Sequence, residues 1–343
     1  MSRRYSPARY FAFIVLFLSV APVLAGDAGR EQAVTILKTW QRALDARPTR
    51  CSIEVDVLAR VNYVPGHAGA CGYRTRILRD GPKLDMVCTP VFNNDPDSAN
   101  PNKAVGRNFK TIVNGYYVQY EAPRTAKAAL AVFALDGQNY FGRSIHALYG
   151  VEAFDGYACG DPKRLPELML ALPTLHLLAD EKVSGHDSKV VEATSADYGK
   201  YTLYLDPSND WLPRRIVNEK LSDNLSDGRK LKDWPFVTRG RHEVSPAVRV
   251  KGEYGNPETV KVDRWTMPNR CEYTETWEFQ NGERCIKAYT CTVTKVDLHP
   301  SFDSAMAFVP QLQEGATLAN QSDHSRPYRW KGGVPVPKSS EQR

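Results

Sequence analysis

The feature that most constrains this chain is an alternation. Cys51, Ile53, Val55, Val57, Ala59, Val61 and Tyr63 occupy every second position, with Glu54, Asp56, Arg60 and Asn62 between them. Successive side chains of a strand point to opposite faces, so this pattern predicts a long strand with one face in a core and one in water. Pro65-Gly66-His67-Ala68-Gly69 then turns the chain, Tyr73 to Arg79 returns it, and Asp80-Gly81-Pro82 leads into Lys83 to Val91. Three strands joined by turns make an antiparallel meander.

The same grammar recurs further on. Tyr201, Leu203 and Leu205 alternate up to a turn at Asp206-Pro207-Ser208-Asn209, and Trp211-Leu212-Pro213 opens the next strand toward Ile216. Trp265-Thr266-Met267-Pro268 repeats that opening. Residues 189–193, 200–205, 212–217, 244–250 and 258–264 therefore read as strands of an iterated meander.

The hairpin from Cys271 to Val296 can be placed in register. Cys271, Tyr273, Trp277 and Phe279 share a face, as do Cys285, Tyr289, Cys291 and Val293. A two-residue Asn281-Gly282 turn would set these faces on opposite sides of the sheet. A three-residue loop, Gln280-Asn281-Gly282, with Gly282 left-handed in a bulge, brings them together. That register sets Glu275 opposite Lys287, Trp277 opposite Cys285 and Cys271 opposite Cys291. Opposed strand residues lie within disulfide range at Cα, so a Cys271–Cys291 bridge is expected.

Helical periodicity is confined to a few places. Ala33, Leu37, Trp40 and Leu44 form one stripe in a helix ended by Pro48. A short helix is expected near Leu148, Val151 and Phe154. Asp161-Pro162 can start another, in which Leu165, Leu168, Met169 and Leu172 form a stripe ending at Pro173. That stripe fits a lid over a concave sheet, which makes Leu168, Met169 and Leu172 candidate ligand-binding residues; it fits ordinary core packing equally. Thr174 to Ala179 reads as a further short turn. Polar inserts are expected near 93–107 and 219–240, a hairpin around Asn114-Gly115, and an ordered closing stretch over 302–318.

The N-terminus has the layout of a cleaved secretory signal: Arg3, Arg4 and Arg9, an apolar run from Tyr10 to Val20, then Val23-Leu24-Ala25. Cleavage is expected after Ala25, placing the protein in the periplasm or outside the cell. No later run approaches the roughly 18 apolar residues of a membrane helix, so no integral span is expected after cleavage. Three of the six units of net charge (+6) leave with the signal, and no basic run is interleaved with aromatics, which argues against nucleic acid. Seven cysteines follow the signal, an odd count in an oxidising compartment. The pairing of Cys51, Cys71, Cys88, Cys159 and Cys285 stays open.

The seven histidines are scattered, and no nucleophile elbow, phosphate loop, dinucleotide fingerprint or zinc motif is present. Neither a catalytic residue, a metal ligand nor a cofactor is assigned. Glu272, Glu275 and Glu278 lie close in sequence, but the hairpin register puts Glu275 on the other face from its neighbours.

Three features together resemble the LolA-like family of periplasmic carriers, which includes LolB-like relatives. They are the export signal followed by a helix and long strands, the Tyr201–Ile216 unit, and the closing Phe308-Val309-Pro310 to Gly315-Ala316 segment. The resemblance implies an α+β fold: a strongly curved antiparallel β-sheet, an incomplete barrel, with helices on the concave side. It implies one such domain over residues 26–320, ahead of a disordered tail at 321–343. The implied function is noncatalytic binding of an apolar ligand, a lipid or lipoprotein acyl chain, in the concavity. The alternatives are an envelope scaffold with a self-filled cavity, and a hydrolase. The sequence assigns no oligomeric state.

Overall fold

Alternation in the sequence becomes strand in the structure, a computed structural model that describes residues 27–62, 68–94, 105–114, 117–122, 131–134, 156–157, 163–226, 229–233, 245–320 and 327–338. The expected signal at 1–25 and the helix near 148–154 lie outside the described residues, as do Asp161-Pro162 and much of both inserts.

The meander runs β1 (Arg50–Asn62), β2 (Ala68–Asp80), β3 (Lys83–Asn93), β4 (Asn108–Val113), β5 (Tyr117–Ala122) and β6 (Ala131–Ala134), each antiparallel to the one before. The chain then starts again at the far edge. There β7 (Thr174–Leu177) and β8 (Glu181–Val183) both pair with β9 (His186–Ser195), which pairs with β10 (Gly199–Asp206), and β10 with β11 (Leu212–Leu221). An excursion carries the small hairpin of β12 (Leu225–Ser226) and β13 (Arg229–Lys230) and a 3-10 turn at Leu231–Asp233. The path returns through β14 (Ala247–Val262), β15 (Trp265–Phe279) and β16 (Arg284–Asp297).

The two meanders meet where β16 pairs with β1. At the other side β17 (Thr317–Asn320) runs parallel to β6, and the hairpin of β18 (Tyr328–Lys331) and β19 (Val334–Pro337) ends the sheet. The sheet is large, almost wholly antiparallel and not closed into a barrel.

The expected strands at 244–250 and 258–264 are one strand, β14, broken by bulges near Gly255 and Glu258. Bulges bend a strand and increase its twist, which suits a curved sheet. Thr174 to Leu177 is strand rather than turn, because Leu175 and Leu177 alternate into the core while Thr174 and His176 pair outward on β9.

Helix α1 (Asp27–Asp45) buries Ala33, Leu37, Trp40 and Leu44 as its stripe requires. Helix α2 (Leu165–Leu170) has Pro166 in its first turn. A third helix, α3 (Ser304–Ala307), is a single turn capped by Asp303. One apolar cluster joins the stripes of α1 and α2 to the same face of β1, β2, β3, β9, β10, β11, β14, β15 and β16. The half-barrel therefore wraps around these two helices on its concave side.

The hairpin register is the one derived from side-chain parity: Cys271 opposes Cys291, Glu275 opposes Lys287 and Trp277 opposes Cys285, with Gly282 at φ 83. The expected disulfide does not form. Cys271 and Cys291 face each other in the core without a sulfur–sulfur bond. Opposed Cβ atoms on a pleated sheet stand about 4.5–5.5 Å apart. A disulfide needs about 3.5–4.5 Å, so opposite register does not by itself bring two cysteines to bonding distance.

The expected disordered tail also needs correcting over residues 327–338. Tyr328 and Trp330 alternate into a cluster with Ile112, Val118, Tyr120 and Leu318, and Gly332-Gly333 turns the chain with both residues at positive φ. Such a two-residue turn matches the twist of a hairpin and needs residues without a Cβ penalty.

Candidate functional site

The concave face is built in rows, because antiparallel register carries one residue from each strand into line. One row runs Tyr201, Asn218, Gly252, Glu275, Lys287 and Val61 across β10, β11, β14, β15, β16 and β1. Above it the face is apolar and covered by α1 and α2. Below it lies a second apolar cluster of Val250, Trp277, Phe279 and Cys285, covered by Leu231 of the β11–β14 excursion. The row is thus a polar belt between two apolar zones.

Hydrogen bonds tie the belt to its neighbours. The Glu275 carboxylate is buried and accepts from Tyr273 Oη at 3.2 Å and Trp277 Nε1 at 3.1 Å. Lys287 Nζ stands 3.7 Å from Glu275 Oε2 and 5.5 Å from the centre of the Trp277 ring. Lys220, two residues beyond Asn218 on β11 and opposite Val250, is buried and donates to Tyr201 Oη at 2.9 Å and to the Leu225 carbonyl at 2.8 Å. Gly252 leaves room for its neighbours: a Cβ there would lie 2.1 Å from Asn218 Oδ1 and 2.7 Å from Tyr273 Oη. Below the belt, burial pushes the Cys285 thiol up to about 11, with Lys287 opposing and Glu275 reinforcing the shift.

Most of the inner face is buried. Beside the belt it opens, where Val61, Cys71, Tyr73, Lys287 and Tyr289 are only half-buried. The residues read from sequence as ligand-binding lie away from this opening. Leu168, Met169 and Leu172 sit in the core under α2, packed with α1 and the sheet.

A second polar feature lies on the outer face. A half-open cleft of about 370 Å³ is bounded by the turn at Glu181–Ser184 and by Arg214, Arg215, Glu253, Glu272 and Thr274. A bulge between Tyr204 and Leu205 in the β10–β11 pairing leaves Arg214 between the paired positions. Arg214 is spent on Asp206, and Arg215 on Glu253 at 2.7 Å. These pairs hold the turn and the strands, and they present matched rather than surplus charge.

Glu275 and Lys287 were placed opposite each other by the hairpin parity. Asn218, Lys220 and Gly252 carried no signal, since each is ordinary in its own strand and only the register of four strands aligns them.

These strands and helices form an open half-barrel around two helices, the architecture that the sequence resemblance implies. No protein-family model matches the chain, and no curated protein does. Among solved structures it is similar to a LolA superfamily protein from Nitrosomonas europaea, at 17% identity over 81% of this chain and 97% of that one, TM-score 0.39. It is also similar to a DUF1329 family protein from Desulfovibrio piger, at 10% identity over 81% and 96%, TM-score 0.44. The MucA/MucB complex of Pseudomonas aeruginosa matches at 9% identity over 79% and 100%, TM-score 0.24.

Proposed function

We propose that this is an exported, noncatalytic binding protein that holds an apolar ligand, a lipid or lipoprotein acyl chain, against the inner face of its half-barrel. The observation that carries the reading is the way α2 covers that face. All four of its buried residues, Leu165, Pro166, Leu168 and Met169, are apolar. Side-chain ties join its flanks to α1, Arg164 Nη1 donating to Asp45 at 2.7 Å and Arg30 Nη1 to the Pro173 carbonyl at 2.9 Å, and its first amide, that of Leu165, donates to the Gly156 carbonyl at 2.6 Å. An acyl chain offers the sheet the same chemistry as these side chains, and exposed ion pairs hold a segment by only about 0–1 kcal/mol each. Exchange of α2 for a ligand would uncover apolar side chains and, at the start of the helix, the carbonyl of Gly156 that accepts from the Leu165 amide.

A second reading has its own support. Leu168, Met169 and Leu172 fill the concavity, as they would in an envelope scaffold or protein-interaction module that needs no ligand. Native mass spectrometry of the protein isolated from its own envelope separates the two. A co-purifying lipid mass is expected. Protein that is strictly empty, and that fails to take up a fluorescent fatty acid, would leave the scaffold reading standing.

A further inference from the structure

We infer that the polar belt of the concave face is a headgroup site, and that the ligand is an anionic single-chain amphiphile whose carboxylate or phosphate meets Lys287. This inference rests on the apolar-ligand reading and adds to it the chemical class of the ligand and the direction in which it lies.

The argument begins with where charge stands. On the inner face the described residues set two ammonium groups, Lys287 of β16 in the belt and Lys220 of β11 one row below it, against one carboxylate, Glu275 of β15. Among these three groups cations outnumber the carboxylate. Lys220 is enclosed, with Tyr201 Oη and the Leu225 carbonyl as acceptors. Lys287 is different: its side chain is 23% exposed while that of Glu275 is 8% exposed. It therefore stands on the rim of the opening, where the half-buried Val61, Cys71, Tyr73 and Tyr289 give way to solvent.

Electrostatics decides which ligand charge fits. Glu275 faces inward and already accepts from Tyr273 and Trp277, so an incoming cation would meet donors around the carboxylate and Lys287 beside it. An incoming anion meets the ammonium first, on a wall that is otherwise apolar and weakly screened. Lys is a compact point charge that serves carboxylate and phosphate alike. The Tyr273 and Tyr289 rings, 6.2 Å apart, continue the wall toward the cluster beneath α1 and α2. A chain anchored at Lys287 would run along them into the region that α2 covers.

The test uses the full-length mature protein and three probes with the same tail: dodecanoate, dodecyl phosphate and dodecan-1-ol. Binding is read by isothermal titration for the wild type and for Lys287→Met and Lys287→Arg. The wild type is expected to bind both anions more tightly than the alcohol. Lys287→Met should lose about tenfold or more for the anions, in line with a charge-assisted hydrogen bond, and change little for the alcohol. Lys287→Arg should keep most of the preference, which also shows that the fold survives change at this position. The ratio of the two anion affinities tells whether carboxylate or phosphate is the better head. Equal binding of all three probes, or an equal loss for all three in Lys287→Met, overturns the headgroup site while leaving the apolar-ligand reading in place. Binding of none of them overturns both.

Discussion

Arg214 donates to one oxygen of Asp206 from two nitrogens, Nε at 3.0 Å and Nη2 at 2.7 Å, and both side chains are buried. The same carboxylate accepts from the Ser208 amide and hydroxyl and from Asn209 Nδ2, so it builds the turn between β10 and β11. Asp206→Asn would remove the charge and leave a buried guanidinium uncompensated. A loss of about 3–5 kcal/mol is expected in urea unfolding followed by tryptophan fluorescence.

The same pair sets a pH dependence. Burial alone would raise the pKa of Asp206, but hydrogen bonds from Ser208, Arg214 and Asn209 outweigh it and hold the group at about 2, against 3.8 ordinarily. A depressed carboxylate stabilises the fold fully above its unfolded value, and the contribution fades as pH falls from about 3.8 toward 2. It amounts to about 2 kcal/mol. The gap in urea midpoint between wild type and Asp206→Asn should therefore narrow in that window. A gap that stays constant from pH 5 to pH 2 would place the stability elsewhere.

Gly252 makes the belt possible, and its replacement tests the packing there directly. In Gly252→Ala the new methyl would press on Asn218 Oδ1 and Tyr273 Oη, and Asn218 is itself buried. Overpacking of this kind destabilises by about 1–3 kcal/mol. A thermal shift equal to wild type would mean that Asn218 moves freely aside, and that the belt is looser than its distances indicate.

Legibility in the sequence followed the range of the interaction. Parity and one glycine placed the β15–β16 hairpin in its register, because pleat alternation and a left-handed turn are local rules. The Asp206 turn and the echo at Trp265 were legible for the same reason. In the fold the two turns touch, with Thr266 Oγ1 donating to Asp210 Oδ2 at 3.0 Å, a contact across 56 positions that no local rule reaches. The belt was legible only in its hairpin half, Glu275 and Lys287. The C-terminal hairpin was hidden because polar composition around it masked the single alternation of Tyr328 and Trp330. Arg214 was hidden because a bulge, which has no residue signature here, sets it against Asp206.

Core packing and tethering under α2 should separate cleanly. Met169 is fully buried, so Met169→Ala is expected to lose about 2–5 kcal/mol in urea unfolding. Arg164→Ala removes a part-exposed tie to Asp45 and a contact with the Tyr157 ring, and should change stability by only about 1 kcal/mol. Hydrogen exchange should nonetheless quicken in 165–170 of Arg164→Ala if that ion pair holds α2 to α1. Unchanged exchange would show that apolar burial alone retains the helix.

The last strand carries a device against self-association. The Lys338 amide donates to the Pro327 carbonyl at 3.0 Å, which marks a hydrogen-bonded pair. Such pairs recur at every second position, so Val336–Arg329 and Val334–Lys331 are of the same kind. Pro335 and Pro337 fall on the alternate pairs, with Trp330 and Tyr328, and their backbone nitrogens turn away from β18. Among the described residues nothing pairs with that side of β19. At those positions any other residue would present an N–H to a neighbouring strand; proline presents none. The strand needs the protection, since Val334 and Val336 are 49% and 37% exposed and make the edge apolar. Pro335→Val with Pro337→Val restores two outward donors without touching the Tyr328 and Trp330 packing. The double variant should unfold at the wild-type urea midpoint yet form dimers or larger species in concentration-dependent light scattering. If it remains at the wild-type mass across that range, the prolines do not guard the edge.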